Sequence, residues 1–385
     1  MKGRLDLLDL QILEAIGEES PRNQNAIARK LGIKDATLRA RFRRLKPKVF
    51  LNINVYHTFI GLRKVCVFAK AICGKENLLF KSLKAHGYWL YVSRCYGEFE
   101  GCFALYAIPP TNEREFLTFL ETLRTERVAE SYEYFWSTCF HTVNPKTKWF
   151  ESQTNKWVFL WDEWIAGLDH QPTELPYSLK DPPGFPQKAD YIDIFILKEL
   201  EIDATRSLRS IASKLGISLQ RAKYHYDNHV VNRRLLESFQ VISYPYDIEK
   251  SDFFLFILKF PSNENMAKFA VSLFDKPFVR SVGKVHGENG LFVQFYLPRI
   301  EFRRLVDCLS TLAINGFLTS YRYLIQDLRH VSRQTIPYKL FDDGNWKYNQ
   351  EKYLEELLSL NVDTGLEQDA LVPKPAPSQL LGQTV

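Results

Sequence analysis

The chain lacks the features that would place it quickly. Its first residues hold no apolar leader core, and no run of about 18 apolar residues occurs anywhere, so neither a secretion signal nor a membrane span is expected. Six cysteines (Cys66, Cys73, Cys95, Cys102, Cys139, Cys308) include no C-x-x-C pair. Five of them fall in segments read as strands, which favours buried reduced thiols over a zinc site or a disulfide. No glycine-rich phosphate loop, Ser/His/Asp grouping or cluster of metal-spaced ligands is evident. The expectation is a soluble protein of the cytoplasm with no catalytic residues, no metal, no cofactor and no enzymatic activity.

What is present is a globular composition with charge gathered at one end. The chain has 385 residues, 45% of them hydrophobic and 25% charged, enough for two or more domains. Residues 1–50 carry twelve Lys or Arg against six Asp or Glu, an excess equal to the +6 of the whole chain. A polyanion would be drawn to that end.

Within it, Ile27, Ala28 and Leu31 mark a short helix that Gly32 ends, since glycine suits the left-handed closing position. Leu38, Phe42 and Leu45 follow at i, i+4 and i+7, one face of a second helix, with Asp35 as its expected N-cap. Two helices joined by a glycine turn, the second rich in arginine, is the pattern of a helix-turn-helix.

Comparing the chain with itself sets the architecture. Residues 8–13 and 27–33 match residues 192–197 and 211–217 at a constant offset of 184, and Tyr96-Gly97-Glu98 answers His286-Gly287-Glu288 at 190. Two diverged copies of one unit explain this. After three helices, each copy shows the order βαββαβ, a ferredoxin-like arrangement. The fold class expected is α+β: two copies of a three-helix winged helix-turn-helix domain, each followed by a ferredoxin-like domain. The domains fall at 1–48, 49–142, 189–235 and 236–332. Residues 143–188 form an aromatic and then proline-rich link, residues 333–360 an aromatic extension, and residues 361–385 a disordered tail. Trp149, Trp157, Trp161, Trp164, Phe341, Trp346, Tyr348 and Tyr353 read as packing on the sheets, with base stacking the alternative.

This plan resembles the Lrp/AsnC (feast/famine) regulators. The residues that carry the resemblance are Asp9, Ile12 and Leu13, then Ile27, Ala28, Leu31 and Gly32, then Thr37, Leu38, Arg41, Phe42 and Leu45. It implies double-stranded DNA as partner, protomers paired through ferredoxin-like (RAM-like) domains, and an amino acid or other small effector. The effector loop would correspond to Gly97, Glu98 and Glu100, and more weakly to Gly287 and Glu288. Here two units in one chain would make a covalent pseudo-dimer.

The third helix would enter the major groove. Arg39 and Arg43 are the candidates for guanine edges, because guanidinium fits O6 and N7 bidentately. Lys34, Arg41, Arg44, Lys46 and Lys48 would contact phosphates, and Thr37 either. Arg221, Lys223 and Tyr224 take the analogous places in the second copy, but Asp227, Asn228 and His229 stand where the first has Arg43, Arg44 and Leu45. Siroheme decarboxylases resemble the same architecture, so a tetrapyrrole enzyme is the rival, with His57, His86, His141, His286 and His330 as its histidine pool. A ligand-sensing partner protein without DNA binding is the third reading.

Overall fold

The computed structural model describes residues 5–144, 146–154 and 156–363; the Cys139 side chain and the expected tail beyond 363 lie outside the described residues. The first half runs α1 (Leu7–Glu18), α2 (Gln24–Lys30), α3 (Asp35–Leu45), β1 (Phe50–Val55), β2 (Arg63–Ala71), α4 (Glu76–Ser82), β3 (Trp89–Gly97), β4 (Gly101–Ile108), α5 (Glu113–Thr125) and β5 (Ala129–Thr142). A small hairpin, β6 (Phe150–Glu151) and β7 (Lys156–Trp157), precedes α6 (Trp161–Ala166). The second half runs α7 (Tyr191–Ile202), α8 (Leu208–Leu215), α9 (Leu219–Tyr224), β8 (Leu236–Ile242), β9 (Ser251–Lys259), α10 (Asn263–Leu273), β10 (Val279–Val285), β11 (Gly290–Pro298), α11 (Arg299–Ile314) and β12 (Ser320–Arg333). A second hairpin, β13 (Phe341–Asp342) and β14 (Asn345–Trp346), and α12 (Gln350–Asp363) close the chain. None of the described helices is long and apolar enough to cross a membrane.

The alternation of apolar residues along the strands builds two four-stranded sheets of order β3-β4-β2-β5 and β10-β11-β9-β12. That is the ferredoxin-like order, and both edges of each sheet find a partner in the other. β12 pairs with β3 (Leu324 opposite Gly97) and β10 pairs with β5 (Gly283 opposite Phe140), so eight strands close into one barrel. Closure removes the unpaired edges on which open sheets aggregate. Alternate residues then point inward or outward. Cys66, Phe68, Phe103, Leu255, Ile257, Phe292 and Leu324 fill the lumen. Leu79, Phe116 and Leu120 pack the outer face of the first half, and Met266, Phe269 and Leu309 that of the second. Cys66, Cys95, Cys102 and Cys308 are buried free thiols, as expected, while Cys73 is free and exposed.

Each aromatic extension crosses to the opposite half. Trp161 and Trp164 pack against Phe278 with ring centres 4.4 and 5.5 Å away, the first tilted and the second edge-on, whereas Phe341, Tyr353 and Leu357 join the core of the first half. Burial takes Trp161, Trp164, Phe341 and Tyr353 out of reach of bases, while Trp149, Trp157, Trp346 and Tyr348 are half-buried.

The heads are tied in the same way. β1 and β8 pair antiparallel, Ile53 opposite Phe239. Val241 of β8 enters the core of the first three helices, and the Ala204 amide donates to the Leu51 carbonyl at 2.8 Å. Two details of α3 differ from expectation. Gly32 does turn at φ +64, but Lys34, not Asp35, holds the N-cap position, with no capping side chain; Asp35 is the first helical residue.

Candidate nucleic-acid interface and a buried arginine site

Helix α3 buries Leu38, Phe42 and Leu45 against Ile12, Leu13, Ile16 and Ile27. Helical periodicity then sends Ala36, Arg39, Ala40 and Arg43 to the opposite face, and all four are exposed. Two alanines between two arginines leave a low ridge that a groove floor can approach, flanked by guanidinium groups that reach further. Among the described residues neither Arg39 nor Arg43 is held in an ion pair. The sequence reading found the arginines and missed the alanines; their i, i+4 spacing was the available signal.

Arg41 and Arg44 have another task. Asp6 and Asp9 form a capping box at the start of α1, and the Asp9 carboxylate is fully buried. Arg41 and Arg44 converge on the two carboxylates, with Arg41 3.1 Å from Asp9 and Arg44 3.5 Å from Asp6. Desolvation opposes the charge on Asp6, yet the bond from Arg41 and the neighbouring guanidinium groups keep its pKa below the usual range. Reading Arg41 and Arg44 as phosphate ligands is therefore corrected: a buried carboxylate must be paired. Lys46 is likewise engaged, by Asp203 at 3.2 Å and Thr205 at 2.8 Å. Lys34 and Thr37 are exposed at the start of α3, and Lys48 is half-buried past its end.

In the second half α7, α8 and α9 follow the same order, with Asp190 and Asp193 forming a second capping box. Arg221, Lys223 and Tyr224 are exposed on α9. The helix then changes pitch, and residues His225–Val231 form a π-helical turn. One extra residue is accommodated there. Val230, not His229, is buried as Leu45 is, and His229 stands in the place of Arg44, so the expected register beyond Tyr224 is corrected by one. Asp190, Asp193, His225 and His229 bring four ligand atoms within 4.8 Å of one another. This corrects the expectation that the chain has no metal-spaced cluster. The i, i+4 histidines of one helix were the signal that went unused.

The histidine pool named from sequence does not converge. His86 is enclosed by Tyr106, Phe119 and Tyr353, and burial drops its pKa to about 3. His57 bonds the Val55 carbonyl, His141 bonds Glu237, His286 lies 3.6 Å from Asp181, and His330 bonds Asp327. The expected effector loops also part. Gly97, at φ +121, and Glu98, paired with Arg322 at 3.4 Å, lie at the β12–β3 seam, with Glu100 in the turn that follows. Gly287 donates to Asp181 at 3.1 Å, and with Glu288 it lines a separate recess of about 400 Å³ beside Lys180 and Asn263. Gly97, Glu98 and Glu100 are not among the residues that line it.

A different site lies at the barrel end where β3 and β9 begin and β12 finishes. Arg280 is 8% exposed, and no ion pair to it occurs among the described residues. Its electrostatic neighbours are Tyr244, Tyr246, Tyr296 and a second cation, Arg333, and burial pulls its pKa down. Arg333 lies 5.4 Å from the Tyr91 ring. Beside them a polar chain crosses the lumen: Ser281 donates to Gln294 at 2.7 Å, Gln294 to Gln326 at 2.8 Å, and Gln326 to Ser93 at 2.9 Å.

Residues 5–46 match the family described as winged helix-turn-helix DNA-binding, so the first head has the fold of that class. No curated protein matches the chain by sequence. Among solved structures, the siroheme decarboxylase NirDL is similar over 92% of this chain and 98% of its own, at 12% identity and a TM-score of 0.49. Its complex with an iron-uroporphyrin III analogue is similar over the same share of this chain and 99% of its own, at 13% and 0.49. Escherichia coli AsnC is similar over 35% of this chain and 92% of its own, at 16% and 0.27. The expectation that the chain is not an enzyme is corrected by the first two, which are two structures of one enzyme that aligns with this chain nearly end to end. At these identities the likeness is one of fold.

Proposed function

We propose that the chain is a sequence-preferring regulator that binds double-stranded DNA and carries two helix-turn-helix arms in one polypeptide. The observation that supports this most is the exposed Ala36, Arg39, Ala40 and Arg43 face of α3, opposite a buried apolar face, within a head of matching family. Arg39 and Arg43 read base edges; Lys34, Thr37 and Lys48 set register on phosphates. The second arm presents Arg221, Lys223 and Tyr224, with Asp227 beside them, so it contacts a different and weaker half-site. Because β1 pairs with β8 and the barrel closes within one chain, the arms are fixed relative to each other and the chain serves as its own dimer. A small effector would sit in the recess at Gly287 and Glu288.

The test is a salt titration of binding to fragments selected from a random duplex pool. With Lys34 and Lys48 of the first arm and Arg221 and Lys223 of the second, about four phosphates are neutralised, and log affinity falls against log salt with a slope of roughly 3–4. Binding that ignores salt would sink the reading.

Arg280 favours a second reading, in which the barrel end binds a planar polycarboxylate. A cation buried without an acid is costly until an anion joins it, and the surrounding tyrosines offer ring faces. Titration with iron uroporphyrin should then shift the Soret band at one ligand per chain, and Arg280→Leu with Arg333→Leu should weaken binding at least roughly tenfold, the scale of one charge-assisted bond. An unchanged Soret spectrum on mixing removes this reading and leaves DNA binding untouched.

A further inference from the structure

We propose that Asp190, Asp193, His225 and His229 hold one divalent transition-metal ion of the zinc type, clamping the start of α7 to the π-helical turn that follows α9. The donor atoms are already sorted. In the capping box Asp193 Oδ2 accepts from the Asp190 amide and Asp190 Oδ1 accepts from the Asp193 amide, each at 3.0 Å. Each carboxylate thereby keeps one oxygen for a further partner. His225 Nδ1 lies 2.9 Å from Asp193 Oδ1 and 3.4 Å from Asp190 Oδ2. His229 Nδ1 lies 3.1 Å and 3.9 Å from the same two oxygens and 3.0 Å from the capping oxygen Asp193 Oδ2, so binding an ion would turn it from that oxygen toward the other two. Four bonds of about 2.0–2.2 Å in a tetrahedron set neighbouring ligand atoms about 3.3–3.6 Å apart. The four nitrogen–oxygen distances bracket that edge, and all four donor atoms lie within 4.8 Å of one another, so side-chain adjustment alone can close them on an ion.

Charge points the same way. In the first head the equivalent carboxylates, Asp6 and Asp9, face two fixed positive charges, Arg41 and Arg44. In the second half they face two imidazoles. A divalent ion restores the two positive charges that the arginines supply, whereas neutral imidazoles leave the buried Asp193 with hydrogen bonds alone. Two nitrogens and two oxygens suit zinc, cobalt or nickel better than magnesium or calcium, which favour all-oxygen shells. The π-helical turn matters because it brings His229 onto the same carboxylates as His225; π-turns often mark functional positions. Asp190 is half-exposed, which gives an ion a route from solvent. The bound ion would also fix Tyr224, whose exposed ring lies 5.4 Å from that of His229.

Chelator-stripped full-length chain, titrated with Co²⁺, should develop the intense visible bands of a four-coordinate ion at one per chain, and Zn²⁺ should displace it stoichiometrically. The variant His225→Arg with His229→Arg reproduces the arginine pair of the first head. It should keep its far-ultraviolet circular dichroism and lose the bands. Should that variant not fold, Asp190→Asn keeps the cap, since asparagine caps as well as aspartate, and should lower Co²⁺ affinity at least roughly tenfold. Bands absent from the wild-type chain, bands retained in the arginine variant, or undiminished affinity in Asp190→Asn would each overturn the site.

Discussion

Replacing Arg39 and Arg43 together with alanine is expected to weaken binding to the best selected duplex by roughly 30-fold or more. Each bidentate arginine–guanine contact is worth about 1–3 kcal/mol, so the pair removes about 2–6 kcal/mol, and about 1.4 kcal/mol is tenfold. Both side chains are exposed, so the melting temperature should hold steady, and base preference should relax at the contacted positions. Fluorescence anisotropy on the selected site and on single-base variants would measure this. Full affinity in the double variant removes α3 from the interface. Arg41→Ala with Arg44→Ala is the contrasting control. It leaves Asp9 buried without its partners, and should cost roughly 2–3 kcal/mol of folding stability, less than a fully buried pair because Arg44 is half-exposed. Any DNA binding lost there is lost through the fold.

The second large effect concerns the barrel. Phe292→Ala should destabilise the protein by about 3–5 kcal/mol, the usual cost of emptying a buried phenylalanine site. Phe292 is fully buried and belongs to the second half, yet the rings around it, Phe68 at 6.1 Å, Phe135 at 5.8 Å and Phe140 at 5.9 Å, belong to the first. Denaturant unfolding followed by tryptophan fluorescence and circular dichroism should therefore shift as one transition, not as a second-half transition alone. A midpoint unchanged by the substitution would contradict a lumen shared between the halves.

The two corrections to the proposed DNA face have one physical source. An arginine looks the same in sequence whether it meets a phosphate or a carboxylate of its own chain. Arg39 and Arg43 lie opposite the apolar face and so were read correctly as outward; Arg41 and Arg44 lie on the flank next to α1, where Asp6 and Asp9 wait. The histidines were misjudged for a related reason. His225 and His229 seemed to belong to a regular helix in the register of the first head, and nothing in the composition announces that the helix widens by one residue.

Periodicity and turn residues determined the helices, the βαββαβ order of each half and the arginine face of α3, because those features depend on neighbours within a few residues along the chain. The closed barrel, the crossed pairing of β1 with β8, the exchange of aromatic extensions, the buried Arg280 and the meeting of Asp190 and Asp193 with His225 and His229 came only from the tertiary structure. Each joins groups far apart in sequence, and burial and charge pairing are settled by which surfaces meet.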